Sequence, residues 1–193
     1  MSETLRTYFE CRFLITDEEF DFIKGFFLPK HLKKGELFLR EGEVAKYAVF
    51  VAKGCLRNYV IDNKGKEHIV QFAPENWWLA DSDSLKNGIP TIYFIDAIED
   101  SDILLLDGPS HLKIIEQVPG YAAAFQTGIQ KHAAAKDRRI VASLSATAEE
   151  RYNNFLSTYP SIALRVPQHM LASYLGITPE TLSRIRKQLS RKK

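Results

Sequence analysis

Between about Leu32 and Leu106, apolar and polar residues alternate along the chain, and glycines interrupt the alternation at short intervals. Apolar residues at every second position indicate strands with one buried face, and the sequence Asn63-Lys64-Gly65 is typical of a hairpin turn. The glycines follow one another about every seven to twelve residues, at Gly35, Gly42, Gly54 and Gly65. Short strands at this spacing predict an antiparallel barrel or sandwich and argue against a parallel sheet.

After Asp107 the pattern of apolar residues changes to that of helices. From Tyr121 to about Leu144 there is no proline, alanine is abundant, and the one glycine is Gly128. This predicts a helix of about 24 residues and about 36 Å. Its apolar stripe consists of Phe125, Ile129, His132, Ile140 and Leu144. A narrow stripe beside small residues favours packing against the same helix of a second copy; packing on the chain's own barrel is the alternative.

Charged residues are distributed unevenly along the chain. The sequence carries 26 basic and 24 acidic residues, but residues 165–193 contain seven basic residues and a single acid, Glu180. The residues before them therefore carry a net negative charge. A basic end on an acidic body predicts a polyanionic partner for that end, with a solvated basic tail as the simpler alternative.

Several classes of protein lack support in the sequence. No apolar run approaches the roughly 20 residues that span a bilayer, and the first residues do not resemble a signal peptide, so we expect a cytoplasmic protein without a membrane partner. Cys11 and Cys55 have no CxxC spacing, which argues against a disulfide framework and against an iron–sulfur or zinc site. The GxSxG, GxxxxGK[ST] and HExxH motifs are missing, and Asp81 and Asp83 lack the other ligands of a calcium loop. We therefore expect neither enzymatic activity nor a metal site.

The stretch from Gln168 to Ile185 contains the signals of two short helices separated by a sharp turn. Gly176 lies at the bend, where a left-handed conformation costs a glycine little. Thr178 can cap the second helix through its hydroxyl, Pro179 suits the first helical position, and Glu180 suits the positive end of the helix dipole. The apolar residues that would pack the two helices together are Leu171, Ala172, Leu175, Ile177, Leu182 and Ile185. This pattern predicts a helix-turn-helix.

The polar residues of the second helix suit the major groove of DNA. An arginine can bond both acceptors of guanine, a carboxylate can accept from cytosine, and serine is adaptable. We therefore predict base contacts from Glu180, Ser183 and Arg184. Predicted contacts to the DNA backbone come from Gln168, Thr178, Thr181, Arg186 and Lys187, together with the terminal Arg191–Lys193 cluster. The alternative interpretation is a surface ion pair between Glu180 and Arg184, which are four residues apart.

The chain resembles the Crp/Fnr family of bacterial transcription regulators, named after the cyclic-AMP receptor protein and Fnr. The segments KKGELFLREGE, YVIDNKGKE and TPETLSRI are similar, in order, to the family's glycine-marked β-roll and recognition helix. The residues Glu180-Thr181-Leu182-Ser183-Arg184 are similar to the Glu-xx-Ser-Arg set with which the family reads bases. The resemblance covers nearly the whole chain and implies a homodimer that binds a two-fold symmetric DNA site.

The resemblance also implies an α+β fold with three parts. Residues 1–108 would form N-terminal helices and a jelly-roll-type β-roll like that of cyclic-nucleotide-binding domains, used as a sensor. Residues 109–145 would form connecting helices and a long dimerisation helix. Residues 146–193 would form a helix-turn-helix DNA-binding domain of the winged-helix type.

The sensor is where the sequence departs from the family. Members that bind a cyclic nucleotide hold its phosphate with a Gly-Glu pair and a downstream Arg-Ser pair. Here Glu75 is followed by asparagine, and no arginine occurs from Asn58 to Asp137. Without a guanidinium fork for the phosphate, we expect no binding of cyclic AMP. Fnr-type sensing needs a cysteine cluster that the chain lacks, and haem sensing needs an axial ligand, for which the candidates are the scattered His31, His68, His111 and His132.

The effector is therefore unidentified or absent. An apolar pocket for another small molecule is one hypothesis, with lining residues Glu75, Trp77, Trp78 and Tyr93, although adjacent tryptophans more often belong to a core. We predict a sequence-specific transcription regulator whose partners are double-stranded DNA and a second copy of the chain. RNA polymerase and a small-molecule effector are further candidate partners. The alternative is a ligand- or protein-binding roll whose C-terminal helices form an interaction surface without binding DNA.

Overall fold

The computed structural model describes residues 1–191 and divides into two compact units. The first unit is built from residues 1–58 and 72–131, and the second from residues 59–71 and from residue 132 onward. The predicted α+β class is confirmed, because strands dominate residues 28–107 and helices form the rest. The side chains of His132 and Arg191, together with Lys192 and Lys193, lie outside the described residues. The predicted roles of His132 in the dimer helix and of the basic cluster at the end of the chain therefore stay predictions. The division of the chain into sensor, dimerisation and DNA-binding parts also stays a prediction.

Eight helices and eight strands are assigned among the described residues. The helices are α1 (Ser2–Glu10), α2 (Asp17–Lys24), α3 (Ser82–Asn87), α4 (Gly108–Gln117), α5 (Pro119–Ser145), α6 (Ala148–Thr158), α7 (Gln168–Leu175) and α8 (Pro179–Arg191). The strands are β1 (Leu28–Leu32), β2 (Leu37–Leu39), β3 (Tyr47–Lys53), β4 (Leu56–Ile61), β5 (Glu67–Ala73), β6 (Trp78–Leu79), β7 (Phe94–Ala97) and β8 (Ser101–Asp107). They form two sheets, with strand orders β1-β8-β3-β6 and β2-β7-β4-β5. The described pairings are antiparallel, as the turn spacing predicted.

The sheet β1-β8-β3-β6 is buried on both faces. In β3, Val49 and Val51 point into one apolar cluster while Phe50 and Ala52 point into another, because side chains alternate along a strand. The inter-sheet cluster contains Leu32, Leu39, Ala45, Val49, Val51, Leu56, Ala73, Leu79, Ile95, Ala97, Ile103 and Leu105. The helix-side cluster contains Leu5, Phe9, Phe20, Ile23, Phe27, Phe50, Ala52, Leu104, Leu106, Ile114, Val118 and Tyr121. Burial on both faces explains why β8 carries a continuous apolar run.

The turn between β3 and β4 requires a glycine. Gly54 has a φ of +90°, and a Cβ atom there would lie 2.7 Å from the carbonyl oxygen of Asp100. The adjacent backbone N–H of Cys55 donates to the hydroxyl of Ser101 at 3.1 Å. The turn between β3 and β4 therefore approaches the turn between β7 and β8 too closely for any side chain at position 54.

The helices of the second unit pack around a small apolar core. Its buried residues are Tyr152, Phe155, Tyr159, Ile162, Val166, Leu171, Ala172, Leu175, Leu182 and Ile185. α6 begins with a capping box in which Thr147 and Glu150 bond each other's backbone N–H groups. The segment between α6 and α7 forms turns. The ring of Phe155 lies 5.5 Å from that of Tyr174, edge to face, and so joins α6 to α7.

α5 is 27 residues long and includes the whole segment predicted as a long helix. The apolar residues of its stripe that the structure describes, Phe125, Ile129, Ile140 and Leu144, are 40% exposed or more. Neither α5 nor any other helix among residues 1–191 combines the length and apolar character that crossing a bilayer requires.

Candidate nucleic-acid interface

The turn between α7 and α8 is built by hydrogen bonds around Gly176. This residue has a φ of 66° and a ψ of 36°, so the left-handed conformation predicted from the sequence is confirmed. Its backbone N–H donates to the carbonyl of Ser173 at 3.1 Å, and the N–H of Ile177 donates to the carbonyl of Ala172 at 3.0 Å. These bonds satisfy carbonyls at the end of α7 and turn the chain directly into α8.

α8 begins at Pro179 and is capped by the residue before it. The hydroxyl of Thr178 accepts a hydrogen bond from the backbone N–H of Thr181 at 3.2 Å, which confirms the predicted cap. Hydrogen bonds from its own backbone N–H and from Thr178 lower the pKa of the Glu180 carboxyl. Glu180 is therefore an anionic acceptor at neutral pH, placed at the positive end of the helix dipole.

α8 has one buried face and one exposed polar face. Leu182 and Ile185 are buried in the core of the second unit. The opposite side forms a shallow concave patch lined by Pro179, Glu180, Ser183, Arg184 and Lys187. The last four lie at positions i, i+3, i+4 and i+7 of the helix, and all are exposed. They are called the recognition face below. The structure thus brings the three predicted base-contacting residues together on one surface.

The charged side chains of the recognition face do not pair with one another. Among the described side chains, Glu180 and Arg184 form no ion pair with each other, so the alternative interpretation of these two residues has no support in the structure. Both charged groups remain available to a ligand.

The predicted backbone-contacting residues lie around this face. Gln168 is exposed at the first position of α7, and Thr178 and Thr181 lie at the start of α8. Lys187 is exposed and Arg186 is half-buried. Helix N-termini and cationic side chains are the groups that bind phosphate in nucleic acids. Their contacts with DNA stay predictions.

Two arginines that the sequence analysis missed support the helix-turn-helix. Arg151 of α6 donates to the carbonyl of Leu175 at 3.0 Å and to that of Ala146 at 2.7 Å. Arg139 of α5 donates to the carbonyl of Tyr174 at 3.2 Å. Cations at the C-terminus of α7 complement its dipole. Nothing in the local sequence identifies these roles, because an arginine on a helix is most often solvated.

The four residues predicted for an effector pocket have different surroundings. Trp77 packs against the inter-sheet cluster, whereas Trp78 packs against the helix-side cluster with its ring 5.3 Å from that of Phe50. Glu75 accepts a hydrogen bond from the backbone N–H of Gly54 at 3.0 Å. Tyr93 is half-buried in the loop before β7. The two indoles do not share a pocket, because consecutive residues in an extended chain point to opposite sides.

Residues 73–97, in which the resemblance places the counterpart of the family's phosphate site, contain a carboxylate at the start of α3. Oδ1 of Asp81 accepts hydrogen bonds from the backbone N–H groups of Asp83 and Ser84 at the start of α3, both at 3.2 Å. Its Oδ2 accepts from the hydroxyl of Thr91 at 2.6 Å. These N–H groups are the donors that a bound anion would need. Asp81 already occupies them and would repel a phosphate.

The arginine of β4 is also engaged by an acid. Nε and Nη2 of Arg57 donate to the two carboxylate oxygens of Asp96 at 2.7 and 2.8 Å, and the two side chains are 7% and 11% exposed. A two-bond pair of this kind uses the guanidinium fork that a phosphate would require. The guanidinium of Arg57 is therefore already engaged by Asp96.

Asn58, the residue that follows Arg57 in β4, carries a buried polar atom. Asn58 is 6% exposed, and the alternation along β4 places it on the same face as Leu56, which belongs to the inter-sheet cluster. Within the described part of the chain, its Oδ1 atom has no hydrogen-bond partner. Leaving such an acceptor unpaired costs about 1–3 kcal/mol. The Oδ1 atom of Asn58 is therefore a buried neutral acceptor on the inter-sheet side of β4.

Two family models match the sequence. Residues 29–118 match the cyclic nucleotide-binding domain, and residues 138–193 match the Crp-like helix-turn-helix domain. A search of curated protein sequences returned no significant match.

Solved structures share this fold at low sequence identity. FixK2 from Bradyrhizobium japonicum is 24% identical, with a TM-score of 0.71 over 86% of this chain and 85% of that chain. The c-di-GMP responsive global regulator CLP from Xanthomonas campestris is 11% identical, with a TM-score of 0.71 over 92% and 93%. The catabolite activator protein of Thermus thermophilus is 20% identical, with a TM-score of 0.58 over 92% and 85%. At these identities the likeness establishes the fold alone.

Proposed function

The chain belongs to the Crp/Fnr family of DNA-binding transcription regulators, and on that premise we propose that it binds a two-fold symmetric DNA site as a homodimer through the recognition face. The observation that carries the proposal is the two-sided character of α8, with Leu182 buried and Glu180, Ser183 and Arg184 exposed. A helix held by its buried face can place its polar face in the major groove without repacking.

The chemistry of the recognition face suits base recognition. Arg184 presents a fork that can bond O6 and N7 of guanine together. Glu180 is an ionised acceptor, which suits the amino group of cytosine. Ser183 lies between them in sequence and can donate or accept. We assign sequence preference to these three residues and assign the uniform, salt-dependent part of the affinity to Lys187 and Arg186.

The homodimer is proposed from the exposed stripe of α5. Phe125, Ile129, Ile140 and Leu144 are exposed apolar residues on one helix, and a second copy of α5 would cover them. We expect Ile140→Glu to convert a dimer into a monomer in sedimentation analysis and to weaken DNA binding. Ala134→Glu adds the same charge at an exposed position on the other side of α5 and serves as the control. A dimer that survives Ile140→Glu would contradict this contact.

We also propose that the roll does not respond to cyclic AMP. Asp81 at the start of α3 and the Arg57–Asp96 pair support this, because neither leaves a cationic site for phosphate. The unpaired oxygen of Asn58 favours a neutral effector that carries a donor group. Addition of cyclic AMP should leave the affinity for DNA unchanged, and a clear increase would refute the proposal. RNA polymerase stays a predicted partner. We also expect the protein to act in the cytoplasm and to have no enzymatic activity.

The experiment that tests the main proposal is selection from a random duplex library by the purified protein at near-physiological salt. The expected product is a two-fold symmetric motif with half-sites about 34–36 Å apart or a multiple of that distance. Affinity for the selected site should fall steeply as salt concentration rises. Failure to enrich any motif, together with salt-insensitive behaviour, would favour an interaction module that does not bind DNA.

A further inference from the structure

Ser173 of α7 contacts the hairpin of β4 and β5 within the second unit. Its hydroxyl accepts a hydrogen bond from the backbone N–H of Ile69 at 3.1 Å and donates one to the carbonyl of Glu67 at 2.8 Å. β5 is the last strand in the order β2-β7-β4-β5, so these groups lie on an edge that no strand among residues 1–191 pairs. Ser173 therefore satisfies two backbone groups that an edge strand leaves open.

Arg139 of α5 reaches the same edge. Its guanidinium donates to the carbonyl of Val70, to that of Ile69 at 3.0 Å, and to that of Tyr174 at 3.2 Å. The guanidinium carbon lies 4.0 Å from the centre of the Tyr174 ring, within the range of a cation–π interaction. One side chain thus joins α5, β5 and α7.

These contacts also complete the end of α7. The last four carbonyls of a helix have no partner within it. In α7, the first two of these accept from backbone N–H groups of the turn. The carbonyl of Tyr174 accepts from Arg139, and that of Leu175 accepts from Arg151. The C-terminal end of α7, which leads into α8, therefore depends on Arg139, and Arg139 also bonds the β4–β5 hairpin.

We propose that Arg139 and Ser173, together called the hairpin clamp, are positioning residues for DNA recognition: they fasten the β4–β5 hairpin to α7 and so fix the orientation of α8. The inference rests on the proposed function, because it concerns how the same recognition face is presented. It adds two residues that contact no base or phosphate in that proposal.

The positions of Ser173 and of the recognition face indicate that loss of the clamp weakens DNA binding. The face of α7 that packs on α8 consists of Leu171, Ala172 and Leu175, all buried, whereas Ser173 lies on the other side of the helix. The recognition face stays exposed while the clamp is formed. The clamped arrangement is therefore compatible with DNA, and loss of the clamp lets α7 and α8 adopt other orientations. If a smaller fraction of the protein molecules has the orientation that can bind DNA, the apparent affinity for DNA falls.

The test uses Arg139→Lys and Ser173→Ala in the full-length chain. Arg139→Lys keeps the charge but loses the fork that bonds several carbonyls at once, and Ser173→Ala removes a single hydroxyl. Arg138→Ala is the matched control, since Arg138 is the neighbouring exposed arginine of α5. Two quantities are measured: hydrogen exchange at the Ile69 amide without DNA, and Kd for the selected DNA site.

We expect both clamp variants to accelerate exchange at Ile69 and to raise Kd by about 5- to 150-fold, the usual range of coupling between two sites of a protein. Arg138→Ala should leave Ile69 exchange unchanged. Unchanged exchange in both clamp variants would overturn the clamp, whatever the DNA result. Faster exchange with a wild-type Kd would overturn the positioning role. If the wild-type chain selects no DNA site, the proposed function fails and the positioning role fails with it, while exchange still reports whether the clamp exists.

Discussion

Replacing Arg184 with alanine should abolish the discrimination between bases at one position of each DNA half-site. It should not destabilise the protein. The side chain is exposed on the recognition face and, among the described side chains, has no ion pair with Glu180. Surface substitutions of this kind change the free energy of unfolding by less than about 0.5 kcal/mol. A loss of DNA binding therefore reports on the interface and not on the fold.

The size of the effect follows from the geometry of a guanidinium on guanine. One such two-bond contact contributes about 1–3 kcal/mol of discrimination against the wrong base. At about 1.4 kcal/mol per tenfold, this corresponds to about 5- to 150-fold in Kd at one position of the site. Lys187 lies on the same face and provides a contrast. Lys187→Ala should weaken binding to all sequences alike and reduce the salt slope by about one.

The assay is a fluorescence anisotropy titration of the selected site and of all its single-base variants, at two salt concentrations. For Arg184→Ala, the penalties at one position per half-site should disappear while those at the other positions remain. Uniform weakening on every sequence would refute the base-contacting role of Arg184. Thermal unfolding of both variants, expected to match the wild type, is the control for folding.

Substitutions in the first unit and in the hairpin test the remaining physical arguments. Gly54→Ala should lower the free energy of unfolding by about 1–3 kcal/mol, because its φ of +90° is strained for alanine and its Cβ would crowd a carbonyl oxygen; an unchanged urea midpoint would contradict this. Asp96→Ala should cost about 3–5 kcal/mol in the same assay, because it leaves the buried charge of Arg57 without this partner. The double variant Asp96→Ala/Arg57→Met should recover much of that loss, and no recovery would argue against a charge effect. Asp62 has a pKa lowered from 3.8 to about 2 by hydrogen bonds with His68 and with backbone N–H groups. Its contribution to stability is therefore present above about pH 4 and lost as the pH falls toward about 2. Urea unfolding across this range should show a weaker pH dependence for Asp62→Asn, and parallel profiles for the two proteins would contradict the assignment.

The residues predicted for an effector pocket show how adjacent residues can have different surroundings. Trp77 and Trp78 are adjacent and aromatic, which suggested a shared apolar lining. In the structure they pack against different clusters, since an extended chain turns consecutive side chains to opposite sides. Residues that share a property in sequence share a site only when the local period places them on one face.

The helix-turn-helix, in contrast, was determined by the sequence itself. The left-handed Gly176, the cap from Thr178 and the helix start at Pro179 all follow from the conformational preferences of single residues and their nearest neighbours. The positions of Glu180 and Arg184 on one face follow from the helical period. The strands of the roll were predictable for the same reason, because alternation and turn glycines act over a few residues.

Only the tertiary structure decided which distant residues meet. Arg57 pairs with Asp96, 39 positions away, so the arginine is not available to a phosphate. Ser173 bonds the edge of β5 at Ile69, 104 positions away, which connects the hairpin to the DNA-binding helices. No local preference specifies such pairs, because each depends on strand order and on the docking of helices, and these are set by how the whole chain buries its apolar surface.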